Sequence, residues 1–120
     1  MNEMMRETVA AAAASTDARP VREQVSEAEW QARVDLAACY RLVNHYGWDE
    51  MVANHISVAV PGEEGNFLLN PYGLLYDQMT ASCFVKVNEA GEVLFDATGL
   101  GCNKAGFVIH SAVHMARPDA

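Results

Sequence analysis

With 120 residues, the chain has room for one domain, and its 16 acidic against 8 basic side chains leave a formal charge of −8. A surface this acidic repels phosphate backbones, which excludes nucleic-acid binding by general electrostatics. No stretch approaches the roughly 20 apolar residues of a membrane span, and a start that mixes Glu3, Arg6 and Glu7 suits neither a secretory nor a mitochondrial leader; the sequence reads as cytoplasmic.

Residues 1–26 carry five consecutive alanines, a Ser-Thr-Asp-Ala-Arg-Pro break and few large apolar side chains. They are expected to form a mostly disordered tail, leaving residues 27–120 to fold. A first helix is predicted over 27–46. Ser26 and Glu29 have the spacing of a capping box, and Ala32, Leu36, Cys39/Tyr40, Val43 and Tyr46 recur with helical period. Gly47 supplies a left-handed stop.

The period then changes to two. Ile56, Val58 and Val60 alternate with His55, Ser57 and Ala59, a turn at 61–65 follows, and "NFLLN" completes an antiparallel hairpin. The segment around Pro71 and Gly73 is predicted as loop, with a helical turn near Gln78–Ser82. "CFVKVN" and "EVLFD" form a second hairpin, and a closing helix is predicted over 104–116. Helix, two antiparallel hairpins, helix is an α+β order rather than a parallel nucleotide fold. Four short strands between two helices leave a free sheet edge, so the fold is expected to be incomplete.

Few residues suggest chemistry on their own. Asn54 could present an amide to an anion or simply shape the turn before the strand. Gly73 permits close approach to the backbone. His110 and His114 lie one turn apart on one helix face, a spacing that can share a metal. However, Ser111 stands where a zinc protease places Glu, and His45, His55 and the cysteines lie at no diagnostic ligand spacing. The pair is therefore read as structural. Cys39, Cys83 and Cys102, without CxxC spacing, are expected to be reduced and mostly buried.

Taken in order, "NHISVAVPG", "LLNPYG" and "AGFVIHSAVHMARPDA" resemble the N-terminal part of the class II aldolase/adducin domain, in its adducin-like branch, from about Glu29 to Ala120. The resemblance implies a three-layer α/β/α fold. It also implies a substrate-phosphate site at Asn54, at Tyr72 and Gly73 (where relatives carry Thr-Gly), and at Lys104 and Ala105 (where they carry a Ser pair). The acid/base Glu of the enzymes falls on Gly106, which cannot move a proton. The zinc ligands of full-length relatives fall beyond Ala120, so neither a catalytic residue nor a metal ligand is expected here, and Zn²⁺ belongs to those relatives.

The resemblance further implies a truncated, non-catalytic homologue serving as a binding module, with a homo-oligomer and a cytoskeletal, actin-associated partner implied by family. The alternative is a zinc-dependent aldolase or epimerase of small hydroxy-carbonyl or sugar-phosphate substrates, if the missing C-terminal part is supplied. Alone, the chain is expected to expose apolar strand edges and to be partly molten or self-associating.

Overall fold

The computed structural model describes residues 8–9 and 15–120. Six strands and two helices follow in the order β1 (Thr8–Val9), α1 (Glu27–His45), β2 (Val58–Ala59), β3 (Asn66–Leu69), β4 (Val85–Asn88), β5 (Val93–Phe95), β6 (Cys102–Asn103) and α2 (Lys104–Ala116). β2 to β5 form one antiparallel sheet in chain order, and β1 pairs with β6 apart from it. This is the expected α+β arrangement of helix, two hairpins and helix.

The pleat sorts the apolar residues into two cores. Leu68, Phe84, Val60 and Val58 face α1, where Ala32, Leu36 and Tyr40 meet them. Phe67, Leu69, Val85 and Val87 face the opposite way, toward Cys102 and Phe107 at the start of α2. The sheet is thus the middle of three layers, and α1 and α2 cover opposite faces.

Helix α1 starts where expected, with Ser26 Oγ accepting from the Glu29 N–H at 3.1 Å. It ends before Gly47, whose φ of +69° only glycine adopts freely. The Glu29 side chain does not close the capping box. It is buried, with Oε1 accepting from Arg33 Nε at 2.9 Å and Oε2 from Lys86 Nζ at 2.8 Å. Lys86 also reaches Glu63 at 3.2 Å. Arg33 Nη1 donates to the carbonyls of Phe84 and Ala81, so the guanidinium ties α1 to the chain entering β4. Its Nη2, 2.9 Å from Glu29 Oε1, lacks hydrogen-bond geometry. The guanidinium carbon stands 5.2 Å from the centre of the Phe95 ring.

Some expectations need correction. Cys39 and Tyr46 are exposed rather than part of the buried stripe, because α1 is covered on one side only. The strand predicted over 56–60 is regular only at Val58–Ala59, since the Ile56 N–H bonds to the Tyr40 hydroxyl instead of β3. The helical turn near Gln78–Ser82 is a 3₁₀ turn at Tyr76–Gln78, placed by the buried Tyr76. Within the expected tail, residues 1–7 and 10–14 lie outside the described residues. Thr8 and Val9 pair with Asn103 and Cys102, and Val21–Glu23 form a 3₁₀ turn that buries Val21.

Candidate functional site

The polar side chains gather along one seam, where the chain entering β2 crosses α2. His55 lies within 3.0 Å of Asn70 Oδ1 through Nδ1. An amide oxygen only accepts, so Nδ1 carries the proton. The Tyr40 hydroxyl stands 2.9 Å from the same oxygen and 2.8 Å from Ile56 O, and it accepts from the Ile56 N–H at 2.8 Å. One buried phenol thus fixes α1, the start of β2 and the end of β3 together. Tyr40→Phe keeps the packing but leaves the Ile56 N–H without its acceptor, and should cost about 1–3 kcal/mol of stability in urea unfolding.

On the next residue of the strand the pleat reverses, and Ser57 points to α2. Its Oγ is 2.6 Å from His110 Nδ1 and 2.9 Å from His114 Nε2. With a single proton the hydroxyl donates to one imidazole and accepts from the other. His114 also stacks on Phe67, with ring centres 4.8 Å apart. The i, i+4 pair of histidines therefore clamps α2 onto the sheet edge.

Gly106 is buried in the first turn of α2, directly against His55. A Cβ placed there would stand 2.8 Å from His55 Cδ2 and 3.1 Å from Cγ and Nε2. Contacts that short force the ring or the helix to move. Of the other residues named from sequence, Asn54 turns its amide into its own loop. Its Oδ1 accepts from the Glu50 N–H at 2.9 Å, and its Nδ2 donates to Trp48 O at 3.1 Å. The Tyr72 N–H donates to Gly101 O at 2.8 Å, which joins the Pro71–Gly73 turn to the loop before β6. Gly73 has φ of +89° and open space around it. Lys104 is exposed at the first position of α2, and the Ala105 N–H is capped by Asn103 Oδ1 at 2.8 Å. Asn54 is thus separate from the seam, and of the positions named by resemblance only Gly106 lies in it, beside His55, His110 and His114. Sequence reasoning did not join His55, Ser57 and Asn70 to the helix histidines, because their contacts span 15 to 57 residues of chain.

Burial lowers the pKa of His55, His110 and His114 below the ordinary 6.5. The neighbouring imidazoles push His110 further down, while Asn70 opposes the shift at His55 and Glu89 opposes it at His114. All three are neutral at pH 7. Because the unfolded chain takes up these protons more readily, their contribution to stability is complete above about pH 6.5 and declines as pH falls below it. Thermal melts between pH 8 and 5 should therefore show Tm level above pH 7 and dropping below 6.5. His110→Gln should flatten that drop.

A zinc ion of the kind implied for full-length relatives does not fit these donors. Ser57 Oγ occupies the point where His110 Nδ1 and His114 Nε2 converge. Among the described residues, no group of three or more His, Cys, Asp or Glu side chains is placed to hold a metal. The buried thiols are poor nucleophiles, since burial pushes Cys83 up and Cys102 up to about 12.

The Class II Aldolase and Adducin N-terminal domain profile matches residues 34–120. The chain belongs to the class II aldolase/adducin family. A Caulobacter vibrioides protein named as an aldolase class 2 protein is 58% identical over 100 residues, covering 83% of this chain and 38% of that protein. Mouse alpha-adducin is 51% identical over 89 residues, covering 73% of this chain and 12% of its own length.

Among solved structures, an aldolase II superfamily protein from Pseudomonas syringae superposes with a TM-score of 0.80 at 52% identity, over 82% of this chain and 39% of that one. The L-fuculose 1-phosphate aldolase from Glaciozyma antarctica PI12 gives 0.72 at 34% identity, over 88% and 41%. Both carry the class II aldolase fold expected from the sequence. The chain spans about two fifths of these bacterial and structural relatives. No helix among the described residues is long and apolar enough to cross a membrane.

Proposed function

We propose that this chain is a non-catalytic class II aldolase/adducin unit, cytoplasmic, that works by binding rather than by turnover. The observation that carries the reading is the buried contact between Gly106 and His55. By resemblance Gly106 is the acid/base position, and it has neither a side chain nor room for one. Its surroundings support the same reading. His110 and His114 direct their inward nitrogens to Ser57, and Asn54 directs its amide to its own loop. These groups hold the fold together instead of facing a substrate.

The adducin resemblance makes a cytoskeletal partner the first binding role to test, by co-sedimentation with filamentous actin. For catalysis, L-fuculose 1-phosphate should be left uncleaved by the chain with or without added zinc. Turnover above the protein-free control would overturn the reading. The second reading, a contribution of substrate loops to a zinc-dependent aldolase or epimerase completed by further polypeptide, draws on the Gly73 turn, where open space surrounds a glycine at positive φ.

A further inference from the structure

The loop that follows α1 carries an aromatic surface that belongs to neither core. Trp48 is 68% and Tyr46 59% exposed, yet their rings stack on each other, with centres 5.1 Å apart and planes 24° from parallel. His45 meets Tyr46 edge-on, also at 5.1 Å. Leu42, one turn before Tyr46 on the helix, is exposed as well, and so is Met51 further along the loop. Clustered apolar side chains left in water mark contact sites, whereas scattered ones do not.

Local bonds hold these rings in place. The Gly47 N–H donates to Asn44 O at 2.9 Å, and the Trp48 N–H to Val43 O at 3.0 Å. From the far end of the loop, the Asn54 amide bonds to Trp48 O and to the Glu50 N–H. Met51 takes a φ of +53°, a left-handed conformation that side chains other than glycine rarely adopt. A strained, cross-braced loop that displays its largest side chains outward is organised before a partner arrives. The charge along this stretch has one sign. From Leu42 to Val85 the sequence holds no Lys or Arg but five carboxylates, and two of these, Asp49 and Glu50, directly follow Trp48. The cations flanking the stretch are engaged elsewhere, Arg41 with Met79 O and Lys86 with Glu29 and Glu63.

We propose that the ladder of His45, Tyr46 and Trp48, with Asp49 and Glu50 beside it, is a docking surface for an arginine-bearing segment of a partner protein. Charge complementarity selects this occupant. An indole face is the strongest aromatic partner for a cation, and the carboxylates next to it in the chain supply the counter-charge. A guanidinium suits the site better than an ammonium, because it is flat enough to stack on the ring and gives up its hydration more easily. The same surface gives Asn54 a role that the sequence left open, which is to brace the loop that presents Trp48. The inference goes beyond the non-catalytic reading and does not depend on it.

The test titrates the 120-residue chain with a blocked Gly-Arg-Gly-Arg-Gly peptide at pH 7.5 and follows the amide signals of residues 45–51 by NMR. Saturable shifts in those signals are expected, with weaker binding of the lysine analogue and none of a Gly-Ser peptide. Trp48→Ala, and separately the pair Asp49→Asn with Glu50→Gln, should each weaken binding at least threefold. The pair Glu27→Gln with Glu64→Gln removes the same two charges at exposed positions elsewhere and should change affinity less than twofold. Circular dichroism checks the fold of every variant. Equal weakening by the two charge-removing pairs would reduce the effect to the net charge of the chain and overturn the proposal. So would the absence of saturable binding, equal binding of the Gly-Ser peptide, or a homodimer in light scattering that is lost with Trp48→Ala. Aldol cleavage by the chain would sink the non-catalytic reading and leave this surface standing.

Discussion

Glu29→Gln is expected to remove about 3–5 kcal/mol of folding free energy, the cost typical of breaking a buried ion pair by neutralising one partner. That is a large part of the roughly 5–15 kcal/mol that holds a domain of ordinary stability together. Glu29 and Arg33 are both fully buried, and the carboxylate also reaches Lys86 at 2.8 Å. The substitution keeps the shape of the side chain, so the loss comes from the guanidinium left without its counter-charge. Arg33 retains its bonds to the carbonyls of Phe84 and Ala81, which satisfy two donors but supply no negative charge. Lys86 keeps Glu63 and loses less.

Two controls separate this account from general sensitivity of the region. Glu63→Gln acts on a partly exposed partner of the same lysine and should cost no more than about 1 kcal/mol. Replacing Glu29 and Arg33 together by Leu and Met should restore most of the loss, because no buried charge is then left unpaired. Urea unfolding at pH 7 reads all three variants. A Glu29→Gln variant within about 1 kcal/mol of the parent protein, the range of an exposed pair, would show that water reaches the site.

The sequence did not foretell this network, and the reason is physical. Local signals gave α1 its start at Ser26 and its stop at Gly47, because caps and left-handed turns involve neighbours in the chain. The same local logic assigned the Glu29 carboxylate to the capping box. The fold sends it instead to Lys86, 57 residues away, and no nearby residue signals that pairing. Cys39 and Tyr46 fell on the predicted apolar stripe, but which part of a stripe is buried depends on how far the covering layer extends.

The hairpins were legible from their period of two and their Gly-containing turns, and the pairings Ala59↔Phe67 and Val87↔Val93 agree with them. The candidate site was less so. The reading of His110 and His114 as structural rested on the lack of further ligands at suitable spacing, while their common partner Ser57 became visible only once β2 was laid against α2. The importance of Gly106 came from the resemblance, and the ring that fills its space came from the structure.

That contact sets the second large effect, at Gly106→Glu, the substitution that returns the acid/base carboxylate implied by resemblance. It is expected to lower stability by about 1–3 kcal/mol from overpacking alone, and by more when a carboxylate is forced into a buried position. It is also expected to create no aldol cleavage. Any side chain at 106 must enter space held by His55, whose Cδ2 lies 2.8 Å from the Cβ position. His55 is in turn held by Asn70, so the ring cannot swing aside without losing that bond.

Gly106→Ala isolates the steric part. A helical alanine normally gains about 1 kcal/mol over glycine, so a net loss in this variant would measure the contact with His55 directly. The decisive comparison is a double-mutant cycle with His55→Ala. If the ring is what excludes the side chain, Gly106→Glu should cost markedly less in the His55→Ala background, with a coupling of about 0.5–3 kcal/mol as found for residues in contact. Additive losses would place the penalty in the helix instead. The adjacent capping by Asn103 Oδ1, which accepts from the Ala105 and Gly106 N–H groups, would then be its source.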